Sequence, residues 1–283
     1  GDVSITAGET TDDGFYGVGG NVVITAGLGS NTDATDGGDG GSVIVTAGAS
    51  KGSNKSKDVG GDVVVTAGSA EASYGGNVAV TSGASTATSS GWLSIATADS
   101  GFYGVSGNMM MSTGSSAAGS SGSVTVQTGN ATMGHGGDYN VRVGTGNTGD
   151  GGDVSIEAGR TTSGDNGGDF IVDAGSSFYG VGGGITMTSG HGDSKDSGAV
   201  TIATSDSGFY GVSGAMALST GTTTAGVSGE FTVDTGAATL GSSGAVKVTT
   251  GMSTGGNGGD IQMAVGTGNT NTGGHVTITA GET

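Results

Sequence analysis

Apolar and polar residues alternate in short bursts along the whole chain, and glycine frames almost every burst. The first burst, Gly1-Asp2-Val3-Ser4-Ile5-Thr6-Ala7-Gly8, returns over 20–27, 41–48, 61–68 and onward to 274–281, eighteen copies in all. The first three intervals between copies are 19, 21 and 20 residues, and every later one is 15 or 16. Within each copy the third residue is apolar, from Val3 to Val276, with Tyr139, Phe170 and Phe231 as bulky variants. The fifth is always Val, Ile, Leu or Met, and the seventh is Ala, Ser, Thr or Val. The residues between them vary freely and include Lys247, Arg142, Glu157 and Asp173. A period of two is the mark of a strand with one face buried and one solvated.

Repetition at this period points to stacked units, each too small to bury its own apolar row. The pattern predicts an all-β fold, a β-solenoid (β-helix) of about eighteen coils, mostly 15 residues per coil, with a thin Val/Ile/Ala/Gly core. It would form one continuous domain over 1–283, with longer loops over 1–75 and regular 15–16-residue coils over 76–283. At a strand spacing of about 4.8 Å the rod would be roughly 85 Å long. The opening glycine occurs in all eighteen copies and the closing one in sixteen, Ala98 and Ser205 being the exceptions. A glycine held at one phase implies either a positive φ or a backbone approach too close for a Cβ. A segment such as 115–122 or 237–244 follows each burst, with a small third residue and usually a fifth-position Gly, and reads as the turn or short strand that closes the coil. A longer repeat overlies the short one. Residues 96–114 return as 203–221, 107 residues later.

Composition sharpens this picture. There are 67 Gly in 283 residues, no Pro and no Cys. Gly costs a helix about 1 kcal/mol per position, which argues against helical architecture, and collagen requires Pro with Gly at every third place. Net charge is −18, from 25 acidic and 7 basic residues, which disfavours a nucleic-acid partner. No apolar run approaches a membrane span. The chain begins at Gly1 without an initiator Met or a signal-peptide pattern, and is expected to be a mature form or a fragment. An acidic, Gly/Ser/Thr-rich repeat points to an extracellular or cell-surface location.

Several features carry candidate contacts. The motif FYGV occurs four times, at Phe15-Tyr16, Phe102-Tyr103, Phe178-Tyr179 and Phe209-Tyr210. Aromatics recurring in one kind of turn are expected either to make lateral or glycan contacts or to fold back over their own corner. Val23, Ile44, Val64 and Ala79 place apolar residues on the nominally outward face, next to the long loops 28–40 and 49–60, where another subunit or the loops themselves would pack. The two terminal copies share one phase, which is expected to allow end-to-end continuation between copies of the chain.

Other chemistry is thinner. Asp33, Asp36, Asp39, Asp99 and Asp206, with Asp12 and Asp13, lie in Gly-rich turns and are the candidate Ca²⁺ ligands, although Asp in such turns commonly just forms the turn. No cofactor is required by anything in the pattern. His135, His191 and His275 fall in separate copies without a nucleophile or base beside them, so no enzymatic activity is expected. Asn54 and Asn130 begin N-glycosylation sequons. Ice binding would need paired Thr on consecutive coils, whereas Thr186/Thr188 and Thr277/Thr279 stand isolated.

The tandem pattern Gly-Gly-(Asp/Ala/Asn)-Val-(Ser/Thr)-Ile, with TSG, SSG and GTGNTG turns, resembles the Gly/Ser/Thr-rich repeat proteins of stramenopiles, the diatoms and oomycetes. The resemblance implies a component of an extracellular filament or of a mastigoneme-type hair. The expected function is a structural subunit of an extracellular fibre or cell-surface appendage, joined to copies of itself end to end or laterally. The alternative is a surface-binding module for glycan, mineral or ice.

Overall fold

A computed structural model of the chain describes residues 1–10, 17–269 and 272–281. The β-solenoid expected from the periodicity is not what these residues form. They contain no helix and no strand. Among the described residues the main-chain hydrogen bonds between consecutive bursts link only the closing glycine of one to the opening glycine of the next, and the longest reaches from Gly41 N–H to Gly27 C=O (41 − 27 = 14 residues). No side chain among them is buried. The chain exposes 28399 Å², against roughly 10,600 Å² for a compact protein and roughly 38,000 Å² for an unfolded one of its mass. The physical reason lies in what each copy brings. It offers two large apolar side chains per fifteen or so residues, while its many glycines raise the conformational entropy that ordering would remove.

The chain divides into two units, Gly1–Arg142 and Val143–Thr283. In each, the bursts are joined by loops, and a loop either is or is not drawn shut where its two ends meet. In the first unit Gly20 N–H donates to Gly8 C=O, Gly41 to Gly27 and Gly61 to Gly48, all at 2.9 Å, then Gly76 to Gly68 at 2.8 Å and Gly91 to Gly83 at 2.9 Å. The next three loops, from Ala98, Gly114 and Gly129, lack this bond. In the second unit the loops 159–168, 175–183 and 190–198 are shut at 2.8–2.9 Å. Those leaving Gly144, Ser205, Gly221, Gly236 and Gly251 stand open, and Gly274 reaches Gly266 only at 3.3 Å.

The seventh residue of the burst decides which state a neck takes. All eight necks preceded by Ala or Ser (Ala7, Ala26, Ala47, Ala67, Ser82, Ala158, Ala174, Ser189) are shut. All seven preceded by Thr (Thr97, Thr113, Thr128, Thr204, Thr220, Thr235, Thr250) are open. Val143 holds its neck open, and Val265 permits only the stretched bond. At the shut neck of Gly20, a Cβ would come within 3.2 Å of Gly8 N and 3.4 Å of the Ala7 methyl. At the open neck of Gly107 it would meet no backbone, only the Cγ2 and Cβ of Thr97 at 3.5 and 3.6 Å. The γ-methyl of a β-branched residue therefore stands in the gap that a methyl or hydroxymethyl leaves clear, and it separates the two ends of the loop.

Candidate functional site

Three surfaces are built on this frame, beginning with the apolar rows. The third and fifth residues were expected to be the buried core, and both rows are exposed instead. Val3, with no copy before it, is 90% exposed, whereas its seventeen equivalents lie between 51% and 67%. Ile278, with no copy after it, is 87% exposed, against 55–77% for the other fifth residues. Each copy thus shades its neighbour without covering it. Apart from Thr161, the more sheltered side chains are seventh residues of shut necks, Ala7, Ala26, Ala47, Ala67, Ser82, Ala158 and Ser189, which are half-buried. Val23, Ile44 and Val64 are at least as exposed as the rows beside them, and the long loops do not fold over them.

The second surface is the set of aromatic tips. Phe102-Tyr103 and Phe209-Tyr210 occupy the centres of turns closed by Gly104 N–H to Gly101 C=O (3.0 Å) and Gly211 N–H to Gly208 C=O (3.1 Å). Ser100 and Ser207 hydroxyls donate across the same turns to Gly104 and Gly211 carbonyls at 3.1 and 3.0 Å. Phe178-Tyr179 sits in a different turn, in which Gly180 N–H donates to the Ser177 hydroxyl at 2.8 Å. That hydroxyl staple recurs in Gly119 to Ser116, Gly226 to Thr223 and Gly256 to Ser253, at 3.0–3.1 Å. Both turn types give one ring geometry. The Phe and Tyr rings meet edge to face with centroids 4.7–4.8 Å apart and interplanar angles of 76–84°. All six rings are 90–96% exposed, so they do not fold back over their corners. Phe15 and Tyr16, like Asp12 and Asp13, lie outside the described residues.

The third surface is a pair of charged loops. In loop 28–40 the Asp33 carboxylate accepts from Thr35 N–H at 2.8 Å and Asp36 N–H at 3.4 Å, and Asn31 Oδ1 accepts from Asp33 N–H at 3.1 Å. The amide of Thr35, then that of Asp36, holds the Asp33 carboxyl below its ordinary value. The loop crosses itself tightly, since a Cβ on Gly38 would come within 2.7 Å of Asn31 N. In loop 49–60, Asp58 Oδ2 accepts from Asn54 N–H at 2.7 Å, and Asn54 Oδ1 accepts from Ser56 N–H and Oγ–H at 3.1 and 2.9 Å. The sequon residue Asn54 thus heads an exposed turn flanked by Lys51, Lys55 and Lys57, while Asn130 is exposed just before a bend.

Among the described residues, no three His, Cys, Asp or Glu side chains gather as a metal site would require. Asp36, Asp39, Asp99 and Asp206 are all exposed. His191 Nε2 lies 3.5 Å from Asp193 Oδ1 on a wholly exposed turn, a pairing of little energetic weight. No helix among the described residues is long and apolar enough to cross a membrane. No family model, curated protein or solved structure matches the chain.

Sequence reasoning did not find the neck. Its signal was present in the seventh position, where the choice between Ala/Ser and Thr/Val was read only as small or β-branched.

Proposed function

We propose that the chain is a structural subunit of an extracellular fibre or cell-surface appendage, built by association of copies of itself. The carrying observation is that the third and fifth residues of all eighteen copies stand exposed at a near-constant interval along the chain. Exposed apolar arrays of this extent mark interaction surfaces. Another copy carries the same array at the same interval, so contacts made at one repeat recur at the next without further design. The main chain supports the same reading, since among the described residues the second to seventh positions of the bursts make no main-chain hydrogen bond and can pair between molecules.

A mastigoneme-type hair or similar surface filament is the proposed setting, following the resemblance of the repeat. The role is mechanical rather than catalytic, and it needs no cofactor. Electron microscopy of the purified chain at increasing concentration tests the proposal. Long unbranched filaments are expected. Dispersed single chains that bind a polysaccharide through the aromatic tips would instead favour the surface-binding reading, which the exposure of those rings supports.

A further inference from the structure

We propose that the tyrosines of the aromatic tips, Tyr103, Tyr179 and Tyr210, are sites of covalent oxidative coupling between copies of the chain. The inference rests on the self-association reading only insofar as copies must meet. The chain has no Cys and five Lys (Lys51, Lys55, Lys57, Lys195 and Lys247), so disulfides are excluded and amine cross-links are sparse. Phenols, with the single indole of Trp92, are the remaining side chains that couple readily after one-electron oxidation. There are six tyrosines, and four belong to the FYGV motif.

The geometry of the tips suits the reaction. Each described tip presents a Tyr ring that is 93–96% exposed, standing on a short Gly-flanked turn that leaves the carbons ortho to the hydroxyl open to an incoming ring. The Phe beside it, held edge to face at 4.7–4.8 Å, adds an apolar partner surface that brings two tips together before reaction. The Phe is a positioning residue and takes no part in the chemistry.

The oxidant is hydrogen peroxide, used by a haem peroxidase. Each of two phenols gives up one electron and one proton and becomes a phenoxyl radical. The radicals join through their ortho carbons, forming one C–C bond. The hydrogen on each joined carbon then moves as a proton to that ring's oxygen, restoring both phenols. Two tyrosines lose two hydrogen atoms in total, and one peroxide becomes two waters.

Tyr74 supplies an internal control, since it is 96% exposed but has no aromatic neighbour among the described residues. The full chain is treated with hydrogen peroxide and a haem peroxidase. Covalent dimers are read on denaturing gels, dityrosine by its fluorescence, and the linked residues by peptide mass spectrometry. Links are expected chiefly among Tyr103, Tyr179, Tyr210 and the sequence-equivalent Tyr16, with Tyr74 and Tyr139 several-fold lower. A chain carrying Phe102→Leu, Phe178→Leu and Phe209→Leu keeps every phenol and should lose most of the preference for the tips. Coupling spread over all tyrosines in proportion to exposure, Tyr74 included, overturns the proposal, as does the absence of coupling. Filament formation is scored separately by microscopy on untreated chain, so failure of the assembly reading and failure of the coupling reading are told apart.

Discussion

The Cγ2 methyl of Thr97 stands 3.5 Å from where a Cβ on Gly107 would sit, and the neck beside them, between Ala98 and Gly107, carries no hydrogen bond. At the equivalent place Ala67 leaves Gly76 N–H free to donate to Gly68 C=O at 2.8 Å. Since the necks of Ser82 and Ser189 are also shut, the methyl rather than the hydroxyl of Thr separates the two states. The same comparison shows what an added side chain would meet at each kind of neck. At the shut necks a Cβ on the opening glycine would lie 3.2–3.6 Å from the backbone of the closing glycine, and at the Thr necks it would make ordinary contact with the Thr side chain at 3.5–3.7 Å, whereas a Cβ on Gly8, Gly27 or Gly114 would meet nothing within 4 Å. Ala98 and Ser205 are tolerated for that reason.

Exchange of the neck residue should therefore exchange the neck. Ala67→Thr is expected to expose the Gly76 amide, and Thr113→Ala to create a bond from Gly122 N–H to Gly114 C=O. Amide hydrogen exchange reads both changes. A hydrogen bond of about 0.5–1.5 kcal/mol corresponds to roughly twofold to tenfold in protection. Unchanged exchange at Gly76 and Gly122 would show that the seventh residue does not control closure.

Charged substitutions in the exposed rows should act on assembly and spare the single chain. Val126→Asp and Ile202→Asp remove one fifth-row contact each without disturbing a core, because none is present among the described residues. Burial of a Val or Ile side chain stabilises by about 1.5–3 kcal/mol, so the concentration at which filaments appear should rise roughly tenfold to a hundredfold. Sedimentation velocity across a dilution series measures it. A substitution that changes nothing would place the contact elsewhere on the chain.

Salt should promote assembly. A net charge of −18 repels like copies, and a Debye length of about 10 Å at 0.1 M weakens that repulsion. Light scattering is expected to increase from low to moderate ionic strength. The opposite trend would mean that pairing between Lys51, Lys55 and Lys57 of one copy and the Asp-bearing loop of another outweighs net repulsion.

Loop 28–40 should loosen in acid. Hydrogen bonds from Thr35 and Asp36 hold Asp33 below its ordinary value. A carboxyl lowered in the ordered state contributes order that is complete above its unfolded pKa of about 3.9 and is lost as pH falls through the lowered one. The Thr35 and Asp36 amide resonances should move together across that acidic window, and in Asp33→Asn they should not. Movement only at near-neutral pH would assign the effect to another group.

The eighteenfold repeat, the apolar rows and the aromatic turns were all legible in the sequence, whereas the close backbone approach expected at every opening glycine is found only at the shut necks and none of these glycines has a positive φ. Burial was not legible. Strict alternation at Val22, Ile24 and Ala26 reads as a strand whether the covering partner is the next copy or another molecule, since the pattern records only that something apolar is met. The structure leaves Val22 and Ile24 exposed and shelters Ala26, the smallest of the three. The aromatic tips were ambiguous for a related reason, because a ring that covers its own corner and one that projects need the same flanking glycines. Only the side-chain positions of Phe102 and Tyr103 separate the two.

Neck type also has a longitudinal order with a mechanical consequence. The four open necks leaving residues 98, 114, 129 and 144 recur at 205, 221, 236 and 251, each 107 residues later, with shut necks at 159, 175 and 190 between them. Under tension an open loop straightens without breaking a main-chain bond across its mouth, although the Thr235 hydroxyl donates to Gly244 C=O at 3.2 Å across one of them, and eight residues drawn taut release up to roughly 25 Å. A shut loop resists until its glycine pair parts. Pulled along its length, the chain would lengthen early in two soft zones and late in the stiff stretch between them and the one before, so that its compliance is written in the choice between alanine and threonine.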